Sequence, residues 1–524
     1  MKNRLEYIKR NLIPLLFWYI CFLASMYFVG RYVDDLMDSD HAAELILASK
    51  LSGFQLFSTD WYYSTSLRVF DVQLFYRIGL LISPHNWMLA MTVGHTLMFL
   101  LLSVTAYFFA KPLVGEKYGI LFAAILLGPF SYWYEWHVIR STAYLPYIIL
   151  TVAAAGFSIK MLMACLNDDK SIKALWLPCV LSCFLAFVSG LAGIRIALSF
   201  YVPFILTFAV VFVYHLRKQT AEQDKENYLK KCLGIMVPQL PMYAAYAAGY
   251  VINSSVLSKR YTFKDWNNTS WGDFSLEKLG VSFQCFLGDF GYPVTADWTI
   301  ERPSMFSLMG ILGAFGLCTM ILFIVAVIRL CVRFNKLTIT QQVVFVLSLV
   351  SIVLSCFFIT QTQGYPYNGS YYLPVMGFAM MDIILEIYTE DFILKHSRSV
   401  LTGFLCVSIA ATSFYHVYYS IATPVRSSIY IRDISCHVNE AGYTKGVAEF
   451  WESNVITAWS NGEVEMWTVN SLEDLQILDW LQDKSHTSLP EDYFMISAAE
   501  DAEHYAEKYG MTVVYENAKF AILE

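Results

Sequence analysis

The apolar run from Leu12 to Phe28 gives way to Asp34-Asp35-Leu36-Met37-Asp38-Ser39-Asp40-His41-Ala42-Ala43-Glu44, five acids within eleven residues. The run is long enough to enter a bilayer, so the acids stand at a membrane boundary rather than on an ordinary polar surface. The basic start, Met1 to Arg10, imitates a secretory leader. The apolar stretch is too long for one and no small-residue cleavage site follows, so it reads as a retained first helix. On a helix Asp40 and Glu44 share a face at i,i+4, and Asp38 lies three residues before His41, so carboxylates and an imidazole can converge. Carboxylates at this spacing can accept a proton from a hydroxyl, or hold a hard divalent cation such as Mg or Mn on Asp38 and Asp40. Acids at a helix N-terminus also favour its dipole with no chemistry attached, and spacing alone leaves these readings open.

Outward from that junction the chain stays greasy. Of its 524 residues 57% are hydrophobic and 15% charged, against about 25% charged in soluble domains. The 35 Tyr and 38 Phe suit a protein with two membrane interfaces. A formal net charge of -7, with no basic cluster outside short loops, excludes a nucleic-acid binder. Most of the 11 Cys fall inside apolar runs. Only Cys285 and Cys436 read as extracytoplasmic, where a bridge between them is open.

Apolar runs fall near 12–30, 88–110, 118–134, 143–165, 174–190, 194–215, 233–252, 304–330, 341–360, 371–389 and 400–421, about eleven spans. Lys and Arg concentrate at the N-terminus and in alternate loops, as at Lys111, Lys117, Lys170, Lys173, Arg217, Lys218, Arg329, Arg333, Lys395 and Arg398. Those loops belong inside, which puts the N-terminus in the cytoplasm and the C-terminal region outside a plasma membrane. The expected fold is a polytopic all-α membrane protein over 1–423 with a small extracytoplasmic α/β domain over 424–524.

Two outer loops exceed connector length, 31–86 and 253–303. In the first, Ala42, Leu45, Ile46 and Leu51, then Leu67, Phe70, Leu74 and Leu81, repeat at helical spacing, which predicts amphipathic helices along the membrane surface. The second sets Trp266, Trp271, Trp298, Tyr261 and Tyr292 among Asn, Asp and Gly, a composition that favours order. In the tail, Asn461-Gly462 predicts a hairpin between strands 455–459 and 463–469. A helix is expected over 498–509 ending at Gly510, with strands 511–515 and 519–523.

Cations for an anionic ligand stand at outer ends of spans: Arg68, His137 with Arg140, Arg195 after Gly190 and Gly193, and Arg302. An Arg there can grip phosphate or can merely snorkel. His85, His95 and the Cys179, Cys183 pair lack metal-site company and read as packing. No phosphate-cradling glycine loop, dinucleotide fingerprint or nucleophile elbow appears in a suitable context. Asn253, Asn267 and Asn368 head short glycan-acceptor sequons.

An acidic motif just after the first span, a long first outer loop, about eleven helices and an outward C-terminal domain together resemble the GT-C superfamily of integral membrane glycosyltransferases. Asp38-Ser39-Asp40-His41-Ala42-Ala43-Glu44 is similar to its first-loop acidic motif. Ser58-Thr59-Asp60-Trp61-Tyr62-Tyr63-Ser64-Thr65 and the stretch from Gly446 to Gly462 resemble uncharacterised bacterial members related to protein O-mannosyltransferases and aminoarabinose transferases. The sequence has Asp-Ser-Asp where O-mannosyltransferases have Asp-Glu, and it has no Trp-Trp-Asp motif. The resemblance implies sugar transfer from a polyprenyl-phosphate carrier to an extracytoplasmic acceptor, a cell-surface glycan, lipid or protein. It implies Asp38 or Asp40 as base, Arg195, Arg140, Arg68 and His137 toward the phosphate, and Glu44, Trp266, Trp271 and Tyr292 around the substrate. The rivals are a transporter or flippase of lipid-linked sugars, a surface-polysaccharide polymerase or ligase, and a non-catalytic scaffold.

Overall fold

The computed structural model describes residues 2–53, 55–64, 67–166, 172–219, 222–263, 271–292, 304, 306–361, 368–389, 397–422 and 426–524. Among them, eight helices are long and apolar enough to cross a membrane: Lys9–Leu36, Trp87–Ile125, Leu145–Leu166, Ala197–Arg217, Leu308–Val332, Ile339–Gln361, Gly369–Thr389 and Ser397–Tyr418. Eleven apolar runs resolve into eight long helices for local reasons. The runs at 88–110 and 118–134 share Trp87–Ile125, which Gly115 breaks at φ 76. The run at 233–252 divides into Glu222–Met236, a 3-10 turn Val237–Gln239 and Leu240–Ile252, with Pro238 and Pro241 at the junctions where their missing N–H costs least. The run at 174–190 is a helix, Ile172–Leu191, whose described apolar part, Trp176–Leu191, is short. It packs tightly on Leu240–Ile252. A Cβ on Gly190 would lie 2.2 Å from Tyr246 O, and one on Gly249 2.2 Å from Phe187 O.

The first outer loop departs from the expected surface helices. Asp38 caps helix Ser39–Lys50, accepting from His41 N. That helix buries Ala42, Leu45, Ile46 and Leu47, and it packs against Phe450–Trp459 of the C-terminal region. Its apolar stripe therefore faces protein: Ser39 Oγ donates to Phe450 O, and Trp459 Nε1 donates to Val33 O at 2.9 Å. The second loop helix, Val72–Ile82, lies on the long helix Trp87–Ile125, with Gly79 so close that a Cβ would sit 2.0 Å from Ala90 O. Its outward face, Ile78, Leu81 and Ile82, is exposed. The 253–303 loop is tied to the first loop by a parallel pairing of Tyr62–Tyr63 with Thr262–Phe263.

The C-terminal sheet has the order Glu465–Val469, Lys445–Glu449, Phe494–Ala498, Phe520–Leu523, Val513–Glu516. The first three strands are parallel and the last two antiparallel additions. The expected hairpin is a helix end instead. Phe450–Trp459 is helical, and Asn461 and Gly462, at φ 55 and 81, close it, with Gly462 N donating to Thr457 O at 2.9 Å. The left-handed backbone that Asn-Gly favours serves a helix C-terminus as well as a tight strand turn. The terminal helix, Ala502–Tyr509 capped by Gly510 at φ 66, and the two last strands lie where the sequence predicts them. No disulfide joins Cys285, which is buried, to Cys436, which is exposed.

Candidate active site

Asp38 sits where the first span ends and the loop helix begins, and His41 lies one turn on. The Oδ1 of Asp38 accepts from His41 N at 3.1 Å and lies 2.6 Å from His41 Nδ1. Both contacts fall on one oxygen, the Tyr32 hydroxyl lies beside the same residue, accepting from Asp38 N at 3.4 Å, and the Asp38 side chain keeps 18% exposure. Burial would raise the Asp38 carboxyl, but the His41 charge and hydrogen bonds outweigh it and hold the group below the usual carboxylate range. Burial would likewise lower His41, and Asp38 above all holds it up. The two form a mutually stabilised pair.

Asp40 and Glu44 continue the same face without such support. Burial, then the neighbouring Asp38, pushes Asp40 up to about 6, and its Oδ1 is buried with no hydrogen-bond partner among the described residues. Burial, then Asp71, pushes Glu44 up to about 7. Arg68 stands opposite, with Nε 2.7 Å from Asp71 Oδ2 and Nη2 3.9 Å from Glu44 Oε1. Asp71 caps helix Val72–Ile82 from a buried position. Burial raises its carboxyl, against Arg68 and more weakly Arg195.

Arg195 acts on the cluster electrostatically, through Asp71 and His137. It follows Gly193, which takes φ 92. Its guanidinium carbon lies 5.3 Å from the ring centroids of both Tyr144 and Tyr147. It is exposed and has no carboxylate salt bridge among the described residues. Arg140 is differently placed. Its Nε and Nη2 each donate at 2.6 Å to the two oxygens of Glu135, both residues are buried, and its guanidinium covers the Trp136 ring at 4.6 Å. Its fork is already filled. His137 stacks on Trp133 at 5.5 Å and is driven down to about 4 by burial, against the pull of Asp38, so it is neutral at pH 7.

The structure thus brings together Asp38, Asp40, Glu44, Arg68 and, through their mutual electrostatics, His137 and Arg195. Trp271 packs instead on Phe357 and Phe358, and the backbone of Tyr292 lies against Gly316 of Leu308–Val332. Trp266 and Arg302 lie outside the described residues. Asp71, Tyr144 and Tyr147 were not singled out by sequence. Asp71 carries a legible signal, an acid three residues after Arg68 and directly before an apolar helix. Tyr144 and Tyr147 carry only their i,i+3 spacing. Asn253 heads a sequon but is buried, donating to Leu67 O at 2.8 Å and to Leu191 O, so it does not present itself to a glycan.

As for a divalent cation, the described residues hold no group of three or more His, Cys, Asp or Glu able to enclose one. Asp38 Oδ1 is committed to His41, so a cation at Asp38 and Asp40 would take few protein oxygens and would draw the rest of its shell from water or a substrate phosphate.

No family model matches the chain, and no curated protein matches it. Among solved structures, ArnT from Cupriavidus metallidurans bound to undecaprenyl phosphate matches with a TM-score of 0.57 at 10% identity, over 97% of this chain and 97% of that one. The same protein in its apo state gives 0.56 at 11% identity and the same coverage. The chain has the GT-C fold. The likeness runs nearly end to end.

Proposed function

We propose that this chain is a membrane glycosyltransferase that moves a sugar from a polyprenyl-phosphate carrier to an acceptor outside the cytoplasm. The observation that carries this reading is a carboxylate oriented by His41 in the same electrostatic cluster as Arg195, which acts on Asp71 and His137 and forms no carboxylate salt bridge among the described residues, in a GT-C helical bundle. That the ArnT structure of the same fold holds undecaprenyl phosphate supports a carrier of that class.

In the transfer the acceptor oxygen forms a bond to the anomeric carbon while the bond from that carbon to the phosphate oxygen breaks. The electron pair leaves with the phosphate, and the acceptor's proton passes to a carboxylate. Asp38 is placed for that proton. It is held below the usual carboxylate range and oriented through one oxygen by His41. His41 acts as a positioning residue, and Asp40, with its higher pKa, is the second candidate base. Arg195, flanked by Tyr144 and Tyr147, receives the departing phosphate, and Arg68 adds positive charge beside it. Arg140 is a structural ion pair in this reading. The first outer loop at 31–86 belongs outside, as do the loop at 253–303 and residues 424–524, with the N-terminus in the cytoplasm. The short helices Ile172–Leu191 and Leu240–Ile252, together with the segment beyond Gly115, bring the crossings to eleven.

The transporter reading draws on Asp382, whose two carboxylate oxygens are buried within Gly369–Thr389 without a hydrogen-bond partner among the described residues. One assay separates the two. The purified protein in vesicles is offered a panel of polyprenyl-phosphate monosaccharides, and both sugar transfer and movement of the intact donor across the bilayer are followed. Transfer from one donor, unaffected by chelator, is the expected result. Movement of donor without transfer would replace the enzyme by a flippase.

A further inference from the structure

Away from the acids, a cleft of about 270 Å3 opens where the C-terminal sheet region meets the first outer loop. Ile46, Ser49 and Lys50 line one side, from the C-terminal half of helix Ser39–Lys50. That helix is about 18 Å long at 1.5 Å per residue, so the cleft stands one helix length from Asp38. The size is near the lower end of small-molecule sites.

One wall is aromatic. Trp61 and Trp87, both largely buried, line it. The backbone is shaped to admit Trp87: a Cβ on Gly462 would lie 2.8 Å from the indole, and Trp87 N donates to Asn461 Oδ1 at 2.8 Å. The other wall is polar and internally balanced. Lys50 pairs with Asp483 and lies 3.8 Å from Glu465, whose Oε1 is 3.1 Å from His486 Nε2. Asn454, 3% exposed, donates from Nδ2 to Leu481 O at 3.4 Å, while its carboxamide oxygen takes no hydrogen bond among the described residues. On a residue that lines the cleft, that oxygen is an acceptor available to a ligand.

The charge balance selects the ligand. With one cation against two carboxylates, the cleft repels phosphate, so the headgroup of a lipid-phosphate donor does not belong in it. A neutral sugar matches both walls, because its C–H face packs on indole and its hydroxyls both donate and accept. We propose that this cleft is a saccharide subsite holding one neutral sugar residue of a glycan on the acceptor side. The proposal deepens the transferase reading by naming the acceptor as carbohydrate.

The test is binding without turnover, by tryptophan fluorescence of the full chain in detergent micelles. Glucose, galactose and N-acetylglucosamine are titrated, with inorganic phosphate and glucose 1-phosphate as opposing probes. At least one neutral sugar is expected to give a saturable response. Asn454→Ala should weaken it by about tenfold, the upper range for one neutral hydrogen bond. Ser49→Trp, which fills the cleft from the helix and removes no buried polar group, should abolish it. Asp38→Asn should bind the sugar as wild type does, so loss of transfer and loss of the subsite are read separately. The proposal is overturned if none of the three sugars gives a saturable response, if either phosphate probe binds more tightly, or if Asn454→Ala and Ser49→Trp both leave the response unchanged.

Discussion

Asp38 and Asp40 differ by two positions in sequence and by much more in circumstance. His41 keeps Asp38 ionised, whereas burial pushes Asp40 up to about 6 and Glu44 up to about 7. Transfer that needs the whole acidic face ionised should therefore fall as pH drops through about 7 to about 6, and the Asp40→Asn variant should lose the lower limb of that profile. Stability runs the other way. The Glu44 carboxyl is raised from 4.5 to about 7 in the fold, so its contribution is greatest below pH 4.5, is lost as pH rises through about 7, and is flat above. Glu44→Gln should accordingly gain in Tm relative to wild type between those limits, which thermal scans across pH would show. The two arginines also part company. Arg140→Ala strands the buried Glu135 and should cost roughly 3–5 kcal/mol. Arg195→Ala should leave Tm unchanged and raise KM for the lipid-linked donor.

At the scale of elements, membrane helices were the most legible feature, because a run of apolar residues has few other uses. What the runs could not reveal was where a helix stops within them. Gly115 and the Pro238, Pro241 pair set those breaks, and a membrane helix tolerates either residue when its neighbours compensate. The misread hairpin at Asn461-Gly462 has a similar origin. Val455, Ile456 and Thr457 are β-branched and suggest a strand, yet the segment is buried almost all round between the sheet and the loop helix, and tertiary packing overrides that preference. Packing also makes a sharp prediction. Gly190 and Gly249 let two short helices touch backbone to backbone, so Gly249→Leu should separate them and cost about 1–3 kcal/mol, read as a fall in Tm in detergent.

Over the whole molecule, the C-terminal region serves as a cover on the acidic loop rather than a free appendage. Sequence showed the acids, and it showed a soluble tail, but not that Phe450–Trp459 lies on Ser39–Lys50, because the contact joins residues some 400 positions apart. Arg195 was legible as an oddity beside two glycines. Its aromatic flank from Tyr144 and Tyr147 was not, since that depends on how separate helices meet. If docking of the cover positions the acids, Trp459→Phe, which removes the bond to Val33 O, should lower kcat while costing only about 1 kcal/mol of stability. The most direct measurement remains single-turnover sugar transfer by Asp38→Asn at saturating polyprenyl-phosphate sugar. A fall of about 100-fold or more with donor affinity retained is the expected result. A variant that transfers at the wild-type rate would contradict the account.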